Sequence, residues 1–157
     1  MKTLIVYDSF HGNTEKVAQA IGAVFAPDVT VVKAANATPE HLLGVEHLFV
    51  GSPTRAFRPS PAITQYLAGI PGSALAGVKA AAFDTRSLID DTIPGFLRLM
   101  MKWFGWAAPK IAKRLAARGA TLALASEGFT VRGSEGPLVE GELERAAQWA
   151  SGMQPSP

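Results

Sequence analysis

Five short, largely apolar runs punctuate the chain, at 3–7, 29–32, 48–50, 78–83 and 121–125. Such runs, bounded by glycine, proline and polar residues, read as strands buried on both faces. Between them apolar residues recur at helical spacing. Val17, Ala18, Ile21, Val24 and Phe25 form one face after the first strand. Thr38-Pro39-Glu40 reads as the start of a short helix, with Thr as N-cap and Pro in its first position; His41 within it is expected to be a solvated surface residue. Ser60-Pro61 opens a helix running to about Leu67. Pro109 fits the first turn of another, in which Ile111, Ala112, Leu115 and Ala116 face inward, Lys110, Lys113, Arg114 and Arg118 face outward, and Gly119 ends the helix. The last helix has Leu143, Ala146, Ala147 and Ala150 as its expected buried face. Strand followed by helix, five times over, predicts an α/β domain: a parallel sheet covered by helices on both faces through right-handed crossovers.

The bulk properties narrow the chemistry. With 157 residues, 48% apolar and 18% charged, one domain with a real core is expected. No cysteine is present, which removes disulfides, thiolate catalysis and iron–sulfur clusters. His11, His41 and His47 do not have metal-site spacing, so no metal site is expected. A net charge of +2 is too weak to argue for nucleic acid. The chain opens on a strand with no basic leader, and no run of about 18 apolar residues occurs, so a cytoplasmic location without a membrane span is expected.

Three loops follow strand ends and so should meet at one edge of the sheet. The first is Asp8-Ser9-Phe10-His11-Gly12-Asn13-Thr14. It leads into a helix whose first-turn N–H groups have no internal acceptor and whose dipole favours an anion. Ser9, Asn13 and Thr14 add side-chain donors, and Gly12 lets the backbone approach a ligand. The loop has no Lys or Arg, which argues against a nucleoside triphosphate, and the chain holds neither G-x-x-x-x-G-K-[ST] nor G-x-G-x-x-G. The second loop is Gly51-Ser52-Pro53-Thr54-Arg55-Ala56-Phe57-Arg58-Pro59, stiffened by prolines and standing clear of the sheet. The third is Asp84-Thr85-Arg86, whose acid and base can pair with each other.

Ser9-Phe10-His11-Gly12-Asn13-Thr14 resembles the phosphate loop of the flavodoxin family, usually Ser/Thr-x-Thr-Gly-Asn-Thr, with His11 in place of the middle threonine. Gly-Ser-Pro-Thr-Arg after the third strand resembles that family's second flavin loop. Phe-Asp-Thr-Arg at 83–86, Glu-Gly-Pro-Leu at 135–138 and Gly-Glu-Leu-Glu-Arg-Ala at 141–146 resemble a branch of small flavodoxin-domain proteins. The resemblance implies a flavodoxin-like three-layer α/β/α sandwich with a five-stranded parallel sheet in the order 2-1-3-4-5, spanning 1–153, with 154–157 as a frayed tail. It implies FMN as cofactor. Residues 9–14 would hold the phosphate. Backbone groups of Pro53, Thr54, Arg55, Ala56 and Phe57 would meet the ring, with Phe57 stacked on it and Arg55 or Arg58 over it, and Asp84, Thr85 and Arg86 would approach from the other side.

The stretch 87–108 departs from the family. Ile93, Phe96, Leu97, Leu99, Met100, Met101, Trp103, Phe104 and Trp106 crowd together, with Arg98 and Lys102 as the polar stripe. A helix apolar nearly all round is expected to be covered on most sides. Packing in this domain's own core or in a homodimer comes first, a lid over the flavin formed by Trp103 or Trp106 second, and contact with a lipid surface third.

The resulting expectation is an FMN-binding electron carrier that works with a redox partner protein. An FMN-dependent reductase of quinones or another small-molecule oxidant is the alternative, with His11 and Asp84 near enough to consider as acids. A flavodoxin-like binding module that has lost its flavin is the third reading. No catalytic residue is assigned. Arg55, Arg58 and Arg86 near the ring predict a less reducing flavin than in acidic flavodoxins.

Overall fold

Alternation along the central strands sorts the core onto two sides of one sheet. The computed structural model describes residues 1–88 and 93–156, so 89–92 of the divergent stretch and Pro157 of the tail lie outside it. β1 (Thr3–Tyr7), β2 (Val29–Lys33), β3 (His47–Pro53), β4 (Lys79–Ser87), β5 (Thr121–Leu122) and β6 (Glu127–Val131) form a parallel sheet in the order β2-β1-β3-β4-β5, with β6 also on β4. Leu4, Val6, Leu48, Val50, Ala80 and Ala82 point to one face, where α2 (Pro61–Ala68) covers them with Ile63 and Leu67 and α4 (Ala107–Ala117) with Ile111 and Leu115. Ile5, Tyr7, Phe49, Ala81 and Phe83 point to the other, under Val17, Ala18 and Ile21 of α1 (Asn13–Phe25) and Ala146 and Ala150 of α5 (Glu142–Ser151). The period of two in a strand produces this division directly. The alanines of β4 are fully buried because helices press on both sides of it.

Phe83 meets Phe129 at 6.5 Å between ring centroids and Trp149 at 6.3 Å, and Trp149 also meets Phe49 at 5.7 Å, all edge-on. Gly51 makes this possible: a Cβ there would lie 2.1 Å from Phe83 Cζ.

Five expectations are corrected. Ala116 of α4 does not face inward with Ile111 and Leu115 but is exposed. The fifth strand does not run through 121–125. It breaks after Leu122, and the same side of β4 is taken up again by β6, in a stretch expected to be loop. α5 does not bury Leu143, which is 37% exposed; its first turn is held inward by Glu142 instead, whose carboxylate accepts from Thr130 N at 2.7 Å and pairs with Arg145 at 2.8 Å. Those bonds hold the Glu142 carboxyl below its ordinary range. His41 is not merely solvated: its Nδ1 accepts from the Thr38 backbone N–H at 2.9 Å and completes the cap of a single 3₁₀ turn, Pro39–Leu42. Finally, α3 (Gly95–Phe104) contributes no buried residue, so it is not part of this domain's core.

Candidate functional site

Parallel pairing sets the end of β1 beside Gly51 of β3 and Phe83 of β4, which both run further, and the segments beyond this point surround one cleft. Asp8 N–H donates to Gly51 O at 3.1 Å and Thr54 N–H to Thr85 O at 2.9 Å, so both ladders continue into the loops.

The first loop folds on itself before α1 begins. Ser9 N–H donates to the Asp8 carboxylate at 2.9 Å and Gly12 N–H to Ser9 Oγ at 3.0 Å. Gly12 is the N-cap with φ +88°, a left-handed conformation that turns the chain into the helix without strain. It brings no capping side chain, so the first-turn N–H groups of Asn13, Thr14 and Glu15 are left for an external acceptor. Thr14 and Thr85 share a hydroxyl–hydroxyl bond of 2.8 Å, which ties the first loop to the third. The Asn13 amide donates to Glu135 O at 2.8 Å, so that side chain anchors the 133–136 loop instead of adding a free donor. Glu15 is drawn aside by Tyr7, whose hydroxyl donates to it at 3.1 Å; burial first, and this bond second, push the Tyr7 phenol up.

The second loop is a tight turn. Arg55 and Arg58 exchange backbone bonds of 3.0 and 2.9 Å, with Ala56 (φ +48°) and Phe57 (φ +65°) both left-handed at its tip. Non-glycine residues rarely adopt this conformation, and each costs on the order of 1–2 kcal/mol. Other contacts hold the turn in place. Ser52 Oγ accepts from Ser60 N–H at 2.8 Å, Thr54 Oγ1 accepts from Ala107 N–H at 3.1 Å, and Lys110 donates to Phe57 O.

The third expected loop, 84–86, is not a loop but the continuation of β4, paired with Ser52 and Pro53 of β3 and with Gly128, Phe129 and Thr130 of β6. In it Arg86 Nε and Nη2 each donate to Asp84 at 2.7 Å, and the same carboxylate accepts from Ala108 N–H at 2.8 Å. Burial raises the Asp84 pKa, while Arg86 and the α4 N–H oppose the rise. The carboxylate is wholly buried with both oxygens engaged, so it is a structural anchor and not an accessible acid. Arg86 lies flat against Gly128, where a Cβ would come within 2.0 Å of Nε, and its guanidinium sits 4.4 Å from the Trp106 ring centroid.

The cleft has a volume of about 130 Å³. It brings together Ser9, Phe10, His11, Asn13 and Thr14 from the first loop, Pro53, Thr54 and Arg55 from the second, and Thr85 and Arg86 from the third. Gly12 shapes the loop without lining the cleft. Asp84 lies beneath it. Ala56 and Phe57 stand outside: the Phe57 ring packs on Phe104 at 5.6 Å instead of facing the cleft. Ser87, Val131 and Ser134 complete the wall and were not anticipated. The small-residue run Gly133-Ser134-Glu135-Gly136 was the available signal, since it follows a strand end on the same edge. Arg55 stacks on Phe10 at 4.6 Å, joining the rims of the first two loops. Two guanidiniums and no carboxylate face the cleft, as an anion requires.

A larger groove of about 430 Å³ lies between the 34–39 turns and α2. Its lining contains no charged residue. The Tyr66 hydroxyl at its wall is fully buried without a partner among the described residues, and burial pushes its pKa up to about 12. This groove offers an anion nothing.

No family model matches the chain, and no curated protein matches it in sequence. Solved structures do match. An archaeal flavodoxin shares 20% identity over 96% of this chain and 94% of its own, with a TM-score of 0.72. Flavodoxin 2 from Bacillus cereus shares 24% over 97% of each, with a TM-score of 0.73. Rubredoxin oxygen:oxidoreductase from Desulfovibrio gigas shares 19% over 97% of this chain but only 35% of its own, with a TM-score of 0.74. Together with the strand order, these likenesses establish that the chain has the flavodoxin-like α/β fold.

Proposed function

We propose that the chain is an FMN-binding redox protein of the flavodoxin type. One observation carries the reading: the open first turn of α1, the Ser9 and Thr14 hydroxyls and two guanidiniums converge on one cleft that no carboxylate lines. That donor set fits a phosphate monoester held by N–H and O–H groups. The cleft is smaller than the roughly 300–1,000 Å³ of a site that encloses a whole small molecule. It has room for the phosphate end of such a ligand. FMN, when bound, supplies one- and two-electron redox chemistry.

The protein's own residues do four things in this reading. The first-turn N–H groups of α1 bind the anion, with Gly12 turning the chain so that they are left open. The Thr14–Thr85 bond fixes the cradle against β4. Asp84 holds Arg86 in place, so that its planar cation stays at the cleft edge. Pro53 and the strained 55–58 turn present backbone groups on a rigid frame. Flavodoxin neighbours and the flavin-loop motifs support the choice of FMN over other phosphate esters.

The test is a titration of the protein with FMN and, separately, riboflavin, followed by quenching of flavin fluorescence. FMN is expected to bind at least tenfold more tightly, because only FMN carries the phosphate. Equal affinity for the two, or no uptake of FMN, overturns the reading.

A further inference from the structure

α3 presents an apolar crest that no described residue covers. Phe96, Leu99 and Trp103 recur at i, i+3 and i+7 and so share one line along the helix; they are 71%, 55% and 78% exposed. Leu97, Met100 and Met101 are half-buried on the side toward the protein. Lys102 and Arg98, both exposed, follow one another at i and i+4 on the flank next to the crest. The base of the helix is fixed: Phe104 packs on Phe57, Trp106 on Arg86, and Ala107 N–H on Thr54. The crest is therefore held outward by the frame of the cleft.

Charge selects the occupant. Residues 93–126 contain six of the fifteen Lys and Arg of the chain and none of its thirteen Asp and Glu. The rest of the chain is net acidic, so the positive charge is concentrated in this segment. A second copy docking crest to crest would bring like-charged segments together without a compensating carboxylate between 93 and 126. An anionic partner removes that repulsion. The crest also consists of large, widely exposed tips with no buried neighbour on their own helix, so it has no pocket to match a folded partner. A fluid interface needs no such match. Trp and Phe beside a row of cations is the composition of a helix that lies in the headgroup layer. No helix among the described residues is long and apolar enough to cross a membrane, so the contact is with the surface.

We infer that α3 docks the protein reversibly onto an anionic lipid surface, with Phe96, Leu99 and Trp103 entering the interface and Lys102 facing the headgroups. The inference goes beyond the flavin reading and does not depend on it.

Flotation of the full chain with vesicles tests it, using phosphatidylcholine alone and phosphatidylcholine with one third phosphatidylglycerol. Binding is expected to the anionic vesicles only and to fade at high salt. The double variant Phe96→Ser, Trp103→Ser is expected to weaken partitioning by about tenfold or more, through lost apolar burial. Lys102→Glu, which leaves the crest intact, is expected to weaken it about tenfold. Both variants alter exposed residues, and unchanged thermal unfolding checks that they remain folded. Absence of binding to anionic vesicles overturns the inference. So does binding that survives both variants. A concentration-dependent dimer in gel filtration that the crest variant abolishes, or retention of the crest by an acidic protein but not by vesicles, also overturns it and assigns the face to that partner.

Discussion

Two aromatic groups in this molecule have similar composition and opposite fates. Phe49, Phe83, Phe129 and Trp149 interlock on one side of the sheet, the three phenylalanines fully buried. Phe96, Leu99 and Trp103 stand in solvent on α3. What separates them is the partner each strand or helix meets. β4 is pressed between helices on both faces, so every large ring near it finds a cover, whereas α3 has no buried residue among its members. The first group holds the fold together; the second is available for recognition. Arg86 stands between them, joined to Asp84 in the sheet and to Trp106 at the foot of α3.

The sharpest contrast is in stability. Phe83→Ala is expected to cost about 3–5 kcal/mol in urea unfolding, as a core aromatic does, while Trp103→Ser changes it by less than about 0.5 kcal/mol. Comparable losses in both would show that α3 is covered after all.

Next comes the residue that links the two groups. Arg86→Met leaves Asp84 buried without its partner and is expected to cost about 3 kcal/mol at neutral pH. Its pH dependence has a definite sign. With the Asp84 pKa raised above its unfolded value, the native state holds its proton longer than the unfolded chain, so stability falls as pH rises through that interval. Without Arg86 the interval widens, and the deficit of the variant is expected to shrink on acidification. A deficit that stays constant with pH would mean that Asp84 is not the group left unpaired.

A smaller effect separates the cradle from the rest of the frame. Thr14→Val removes the hydroxyl shared with Thr85 and is expected to lower FMN affinity about tenfold while leaving riboflavin affinity unchanged. Equal losses for both ligands would place the effect on the fold, not on the phosphate. Smallest of all, Ala56→Gly relieves one left-handed residue and is expected to raise stability by about 0.5–1 kcal/mol; a loss would show that the turn is not strained.

Much of this was legible in the residues because local rules and tertiary demands agree. The apolar run of β1, the Ser60-Pro61 helix start and the Asp84–Arg86 pair each follow from short-range chemistry. β6 was hidden because Gly128 weakens the strand pattern; it is glycine so that Arg86 can lie across it, a reason that exists only in the folded sheet. The exposure of α3 was hidden for a similar reason. A helix apolar nearly all round ordinarily lies under something, and its position shows that none of the described residues covers its crest. Phe57 was expected on the flavin, but the left-handed turn that the chain forms at 56–57 aims the ring at Phe104. That turn also moves part of the expected cationic influence away. Arg86 is compensated by Asp84 and Arg58 does not line the cleft, so any shift toward a less reducing flavin rests on Arg55.

The central claim is that the first turn of α1 holds a phosphate ester. Amide resonances of uniformly ¹⁵N-labelled protein, recorded as FMN is added, test it most directly. The account predicts the largest shifts at the Asn13, Thr14 and Glu15 N–H groups, with inorganic phosphate moving the same signals to a lesser extent. Shifts confined to the Ala34–Tyr66 groove, or none at residues 9–15, would contradict it.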